Sequence, residues 1–401
     1  MTLPLNHIRV LDLTNVIAGP LCTLHLAMMG AEVIKIEMPN TGDLTRKLGV
    51  DRELSQKLLG TSFLAMNAGK KSLSLNLKTL EGRTIFLDLV QTADVVVENF
   101  KPGTMQRLGL DYEVVRARNP SIIYCSISGF GQTGPLSQRP GYDQVIQGFC
   151  GLMSLTGNTD TAPQRAGYVV CDAMSAVVAA FAISAALAGR ERSHAGEYID
   201  VSMLDASLST MAAWFISNIR NAGVIPSPFG NENPTSSPSG TYETADGALN
   251  IVCNEEKQFK KFCKVIETPE LLEDARFNTR SSRLENRGAL NALLREKLLK
   301  HNTAYWDKAF TEAGVPVGPI LPLQEILGHQ HVRDRELLKE FPIPNHAGRN
   351  ITIIRPGFRL SNGGPDVKSM PPTLGEHTDE ILAELGVPAA DQDTYRNEGV
   401  I

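Results

Sequence analysis

Residues 8–37 read IRVLDLTNVIAGPLCTLHLAMMGAEVIKIE, and the hydrophobic period of this stretch changes twice. Residues 8–13 form a short run of branched apolar side chains, which TNVIAGP interrupts with Gly19 and Pro20. Residues 21–29 are apolar on a helical spacing, Gly30 ends them, and 32–37 form a second branched run. A strand, a helix and a strand in so short a span predict a crossover unit with its two strands parallel.

The alternation continues downstream. Further strands are expected at 72–77, 95–98 and 122–127, with helices at 80–92 and 112–118. Alternating elements of this kind give a parallel sheet covered by helices, so the fold class is α/β with a Rossmann-like large domain. The first strand runs into TNVIAGP rather than G-x-G-x-x-G, so neither NAD nor FAD is expected as a cofactor. A helical stretch at 201–222 leads to IPSPFGNENPTSSPSG at 225–240, a change of composition that marks a linker or functional loop. Strands near 240–242 and 249–253, helices near 257–265, 283–299 and 303–312, and the turn-rich AGVPVGPI then read as a smaller α+β unit. The tail carries one more branched run at 351–355 and closes on a proline-rich loop and one short helix. The expected organisation is a large domain from 1–200 and 335–401, a linker helix at 201–225, and a small domain at 226–330.

Composition narrows the function classes. The chain has 401 residues, and 39 basic against 44 acidic side chains give a net charge of -5. That balance offers no electrostatic footprint for nucleic acid and no basic face for a membrane. An anionic ligand must be held by a local cluster. The six cysteines form no C-x-x-C pair and mostly lie in apolar runs, as reduced buried thiols do, and no metal site is expected. The opening MTLPLNHIRV lacks a basic segment followed by an apolar one, so a cytoplasmic protein is expected.

Asp172 is the residue most in need of explanation. It precedes AMSAVVAAFAISAAL at 173–187, a helical stretch apolar all round, predicted to be buried and shorter than the roughly 20 residues that span a bilayer. A carboxylate at its mouth is therefore near the interior. It reads either as an N-cap, accepting a bond from an orphan backbone N–H, or as a functional group, and it can be both.

Several ordered blocks supply a resemblance. They are the 11–46 region with its Ala18-Gly19-Pro20 turn, NAGKKSLSLNLK at 67–78, ADVVVENFKPGTMQRLGL at 93–110, the block 119–157 from NPSIIYCSISGFGQTGP to GLMSLTG, and PPTLGEHTDEIL at 371–382. Together they resemble the family III CoA-transferases, also called the CaiB/BaiF type, the group of formyl-CoA, oxalate and succinyl-CoA:glutarate enzymes, over essentially the whole chain. The resemblance implies that Asp172 is the catalytic carboxylate, forming first a mixed anhydride with the acyl group and then an aspartyl-CoA thioester. It implies CoA contacts at Val16, Leu75, Asn76, Lys78, Asn99, Phe100, Lys101, Arg107, Arg139 and Tyr142. It also implies an interlocked homodimer, with acyl-CoA and small carboxylic acids as substrates and no resident cofactor. Backbone N–H groups at the start of the Asp172 helix are the expected donors to the developing oxyanion. Phe100 suits either stacking on adenine or packing in the core.

Two rival readings stay open. Related acyl-CoA racemases carry Gly-His-Asp where this chain has Gly141-Tyr142-Asp143, and a neutral phenol of pKa about 10 is a poor proton shuttle near neutrality. A non-catalytic CoA-binding regulatory protein is the alternative from another class. Ile17 stands where the formyl-CoA/oxalate branch carries Gln, which removes a donor to a small dicarboxylate and argues against oxalate as substrate, and Met38 stands where many members have Arg, which removes a phosphate contact. The 229–240 loop has only Gly230 and Gly240 where the formyl-CoA branch has a glycine run, and Asn231, Asn233 or its serines are candidates for an acceptor carboxylate or ordinary loop polars. His377 fits a structural position near a helix start.

Overall fold

The computed structural model describes residues 3–343, 348–361 and 363–401. They divide into two units, the first made of Met1–Gly151, Ala166–Ile225 and His331–Ile401, the second of Leu152–Arg165 and Pro226–Gln330. The first contains six parallel strands, β1 (Arg9–Asp12), β2 (Glu32–Glu37), β3 (Lys71–Ser74), β4 (Val95–Glu98), β5 (Ile123–Ser128) and β6 (Glu197–Ser202). Their order is β3-β2-β1-β4-β5-β6. The chain winds outward in one direction from β1 and in the other from β4, and where the order reverses the loops after β1 and β4 part. That crevice at the carboxyl edge is where open α/β sheets bind ligands.

The strands form as they do because both sheet faces are covered. Every residue of β4 and β5 is buried, and their branched, near-continuous apolar runs suit a central strand. On one face Ala18, Cys22 and Leu26 of the helix Ala18–Met28 meet Ala176, Ala179, Ile183 and Leu187 of the helix Val170–Ser193 over Val10, Val95 and Cys125. On the other, Ile85, Phe86 and Leu89 of Leu80–Val90 and Val115 of Tyr112–Arg118 pack with Ile381 and Leu382 over Leu11, Ile34 and Val96. All six cysteines are buried and unpaired.

Several expectations differ from the structure. Residues 197–202 form β6, where a helix was expected from 201, and the helices Met203–Met211 and Ser217–Ala222 lie within the first unit rather than forming a separate linker. The pairing of EYIDVS with β5 supplies what its mixed sequence does not announce. Leu152–Arg165, expected in the large domain, belongs with the second unit. The Asp172 helix spans 24 residues, because it continues past the apolar run through Arg190 and Arg192, cations that favour a helix C-terminus. It alone among the described helices has the length and hydropathy a membrane span needs. It is also not buried all round within the chain: Val177 and Phe181 are 56% and 73% exposed.

The second unit has three antiparallel strands, β7 (Ser239–Glu243), β8 (Ala248–Val252) and β9 (Val317–Pro319), the last within the expected turn-rich exit. Phe259, Phe262, Phe277, Trp306 and Phe310 fill its core. The helix expected at 283–299 is two helices, Arg280–Glu285 and Arg287–Leu298, joined at Asn286. In the tail of the first unit β10 (Leu338–Pro342) pairs with β11 (Asn350–Ile354), and two helices rather than one follow, Thr378–Glu384 and Ala389–Asn397.

Beneath the loop that leaves β1 lies a cluster of buried charges. Lys70 Nζ donates to Asp12 Oδ2 (2.9 Å), Thr23 Oγ1 (2.8 Å), Asn67 Oδ1 (2.8 Å) and the Pro20 carbonyl (3.0 Å). Asp12 Oδ1 accepts the Thr14 backbone N–H at 2.9 Å, and Lys35 Nζ donates to the Thr14 carbonyl at 2.7 Å while pairing with Asp43 at 3.0 Å. Asp43 Oδ1 in turn accepts the Val16 N–H at 3.2 Å. Burial alone drives a carboxyl pKa up, but Lys35 and Lys70 overcome it and hold Asp12 well below the usual carboxylate range. The same burial brings Lys70 down to about 8. Removing one partner of such a pair strands the other. Lys70→Ala is therefore expected to cost about 3–5 kcal/mol of stability, read as a lowered midpoint in urea unfolding. An unchanged midpoint contradicts this account of the cluster.

Candidate active site at the reversal of the sheet

Asn15, Val16, Ile17 and Ala18 after β1, Asn99, Phe100, Lys101 and Pro102 after β4, and Ser128 and Gly129 at the end of β5 line a cavity of about 430 Å³ together with Arg139, Gly141, Tyr142 and Asp172. The crevice is bridged at its floor: the Asn15 N–H donates to Asn99 Oδ1 (2.7 Å) and Asn99 Nδ2 donates back to the Asn15 carbonyl (2.8 Å). Val16 sits at φ 69°, a conformation that a β-branched residue adopts only under constraint. The bonds to Asn15, Val16 and Thr14 supply that constraint. Gly19 has no room for a side chain, since a Cβ there lies 2.2 Å from Thr14 Cβ.

Asp172 is the third residue of its helix and not its cap, which corrects the N-cap reading; Val169 holds the cap position and makes no side-chain bond. Nor are the first N–H groups of this helix free for an oxyanion. The N–H of Val170 bonds to the Tyr168 carbonyl, those of Cys171 and Asp172 to Asp143 Oδ1 (2.8 and 3.3 Å), and that of Ala173 to the Val169 carbonyl. Among the described residues no donor reaches either oxygen of the Asp172 side chain. Burial, and after it the charge of Asp143, pushes Asp172 up to about 7.

Seven of the expected residues, Val16, Asn99, Phe100, Lys101, Arg139, Tyr142 and Asp172, meet at this cavity. Phe100 both lines it and packs on the core. Arg139 lies over the rings of Phe130 and Phe149, with its guanidinium carbon 5.7 and 5.2 Å from their centroids, which fixes its charge at the rim. Tyr142 is 68% exposed. The other four lie outside the lining. Leu75 is buried in the core, Asn76 donates from its N–H to the Val400 carbonyl and from Nδ2 to that of Gly399, Lys78 is exposed, and Arg107 donates to Thr104 Oγ1. Leu75, Asn76 and Lys78 follow β3, and Arg107 lies in the helix after β4, so all four stay on the carboxyl edge. In the second unit Asn233 is spent on its own turn, accepting from the Thr235 N–H and hydroxyl, and Ser236 bonds to Asn254. His377 takes a helix N-cap position, its Nδ1 accepting the Ser72 N–H.

The residue the sequence reading missed is Asp143. It stands in the Gly141-Tyr142-Asp143 motif already singled out, but its bond to the Asp172 N–H spans 29 positions and leaves no local trace in the sequence.

A sequence model of CoA-transferase family III matches residues 5–378. The chain belongs to CoA-transferase family III. The succinate–glutarate CoA-transferase of Agrobacterium fabrum is 37% identical to it over 385 residues, covering 95% of this chain and 96% of that protein. The acetyl-CoA:oxalate CoA-transferase of Acetobacter aceti is 37% identical over 400 residues, 96% of this chain and 97% of that one. A crystal structure of a CAIB/BAIF family protein from Brucella suis superposes with a TM-score of 0.85 at 36% identity, covering 96% of this chain and all of that one. The family assignment places the protein among transferases that act on CoA.

A carboxyl whose pKa is raised on folding makes the folded state the tighter proton binder, so stability falls as pH rises from the ordinary carboxylate range through about 7. Asp172→Asn removes that penalty. Its melting temperature is expected to exceed that of the wild type at pH 8, with the difference closing toward pH 4. A lower melting temperature at pH 8 contradicts the strained state assigned to Asp172.

Proposed function

We propose that the protein transfers CoA from a short acyl-CoA, such as succinyl-CoA, to a small carboxylic acid through covalent intermediates on Asp172. The observation that carries this is the state of Asp172: an unbonded, half-buried carboxylate raised to about 7, in the same cavity as Lys101 and Arg139. A carboxylate without hydrogen-bond partners is a better nucleophile than a solvated one.

The steps balance without an external acid or base. Asp172 attacks the thioester carbonyl, a C–O bond forms as C–S breaks, and the CoA thiolate departs to leave a mixed anhydride. The thiolate then attacks the Asp172 carbonyl carbon, releasing the donor acid as its carboxylate and leaving an aspartyl-CoA thioester. The acceptor carboxylate attacks the aspartyl-CoA carbonyl and expels the thiolate to re-form a mixed anhydride, and the thiolate then attacks the acceptor's carbonyl carbon, giving the new acyl-CoA and restoring the Asp172 carboxylate. Water is the competing nucleophile at each stage, so the cavity has to be dry when acylated.

Val16, Asn99, Phe100, Lys101, Arg139 and Tyr142 are assigned to the reacting end of CoA. Leu75, Asn76, Lys78 and Arg107, further along the same sheet edge, are assigned to its more distant groups. The two cations at the cavity favour an acceptor with a second carboxylate, in line with the glutarate and oxalate named for relatives, and Ile17 favours the larger of these. A homodimer is part of this reading: the exposed Val177 and Phe181 give the Asp172 helix an apolar face suited to burial against a second copy.

The test is to incubate the purified protein with succinyl-CoA and a pool of small carboxylic acids and identify new CoA esters by mass spectrometry. A new ester is expected, and Asp172→Asn should lower its rate of formation by about 10³-fold or more. Transfer at the normal rate by that variant rules out the mechanism. Exchange of an α-proton with solvent deuterium in the absence of any acceptor rules in a racemase instead.

A further inference from the structure

Asp143 has no part in the steps above, yet it accepts the backbone N–H of Asp172 and its charge acts on the Asp172 carboxyl. It opens the helix Asp143–Phe149 and is 5% exposed, with both oxygens engaged. Oδ1 accepts the N–H groups of Cys171 and Asp172 at 2.8 and 3.3 Å, and Oδ2 accepts Gln147 Nε2 at 2.6 Å. Gln147, one turn on and fully buried, continues the attachment: its Nε2 donates to the Tyr168 carbonyl (3.1 Å) and its Oε1 accepts the Ala166 N–H (2.9 Å). Two side chains on one helix thus hold four backbone groups of the segment that ends at Asp172.

A helix start does not require a charge for this. Asn and Ser satisfy orphan N–H groups as well as Asp does, and they spare the fold a buried carboxylate next to another carboxyl. What Asp143 adds over a neutral residue is a fixed negative charge against Asp172. That charge acts unequally along the reaction: free Asp172 is an anion, whereas the acyl anhydride and the aspartyl-CoA thioester are neutral at this position, the negative charge having left first on the thiolate and then on the released acid.

We propose that Asp143 is a positioning residue for Asp172, which fixes its backbone at the cavity and, by like-charge repulsion, destabilises the free carboxylate relative to the covalent intermediates. The inference rests on the nucleophilic role assigned to Asp172. Repulsion of this kind acts only in the ground state, so its relief contributes to acylation.

Asp143→Asn keeps the shape and an acceptor oxygen but removes the charge, and Asp143→Ser is a shorter neutral cap to be used alongside it. Two quantities separate the charge from mere packing. One is the acid limb of kcat/KM for succinyl-CoA against pH, and the other is the fraction of protein carrying covalent CoA at fixed succinyl-CoA and succinate, read by intact-protein mass spectrometry. Both variants are expected to move the acid limb down by about one pH unit and to lower the adduct fraction by up to about tenfold, with the donor KM little changed. An acid limb left in place, with kcat either unchanged or reduced equally at every pH, overturns the inference and leaves Asp143 a structural cap. Asp172→Asn run in parallel keeps the two claims apart: normal transfer by that variant defeats the nucleophile itself, whereas an inactive Asp172→Asn with an unmoved limb in the Asp143 variants defeats only the role of Asp143.

Discussion

Two lysines without solvent contact, Lys35 and Lys70, organise the carboxyl edge of the sheet. Their pairing with Asp12 and Asp43 ties the ends of β1 and β2 to the segment around Asn67 and to the loop that carries Val16. Ionic groups placed this deep are rarely the most stabilising choice for a core, and apolar replacements of equal volume often serve stability better. They are well suited to holding a backbone in a single conformation. The loop from Thr14 to Ile17 needs that, because Val16 must remain at a positive φ and the loop forms one wall of the cavity.

Asp172, which lines the same cavity, is held by a different principle. Asp172 is held through its backbone and left alone at its side chain. Its N–H is bonded to Asp143, its carboxylate meets no donor among the described residues, and a neighbouring carboxylate adds to the penalty that burial imposes. On the proposed mechanism, the free energy stored in this condition is released when Asp172 is acylated. The arrangement also bars the first amides of its helix from stabilising an oxyanion, since each already has a partner. Rigid support of the β1 loop and an unbonded carboxylate at Asp172 fit the proposed reaction, which must pass an activated acyl group between acids without losing it to water.

Much of this was legible in the sequence, and the failures have physical causes. The branched runs of β1, β2, β4 and β5 fixed a parallel sheet because a strand covered on both faces has little choice of composition. β6 was missed because EYIDVS alternates polar and apolar residues and gains its identity from pairing with β5. The Asp172 helix was cut short at Leu187 because its last turns are polar, although Arg190 reaches back to pair with Asp94 at 2.7 Å. Seven of the eleven expected site residues converge on one cavity, since the loops after β1 and β4 and the 139–142 turn are adjacent at the reversal of strand order. Asn76 instead bonds to residues 399 and 400, a long-range attachment that no local pattern reveals. Asp143 escaped for the same reason: its tie to the Asp172 helix exists only in three dimensions.

The central claim is that the Asp172 side chain becomes covalently attached to CoA. The most direct test is to mix the protein with succinyl-CoA without an acceptor acid, quench, digest, and map any CoA-bearing peptide by tandem mass spectrometry. A hydroxylamine-sensitive CoA adduct on Asp172 is expected. An adduct at a different residue, or an unmodified Asp172 in protein that is transferring CoA, contradicts it.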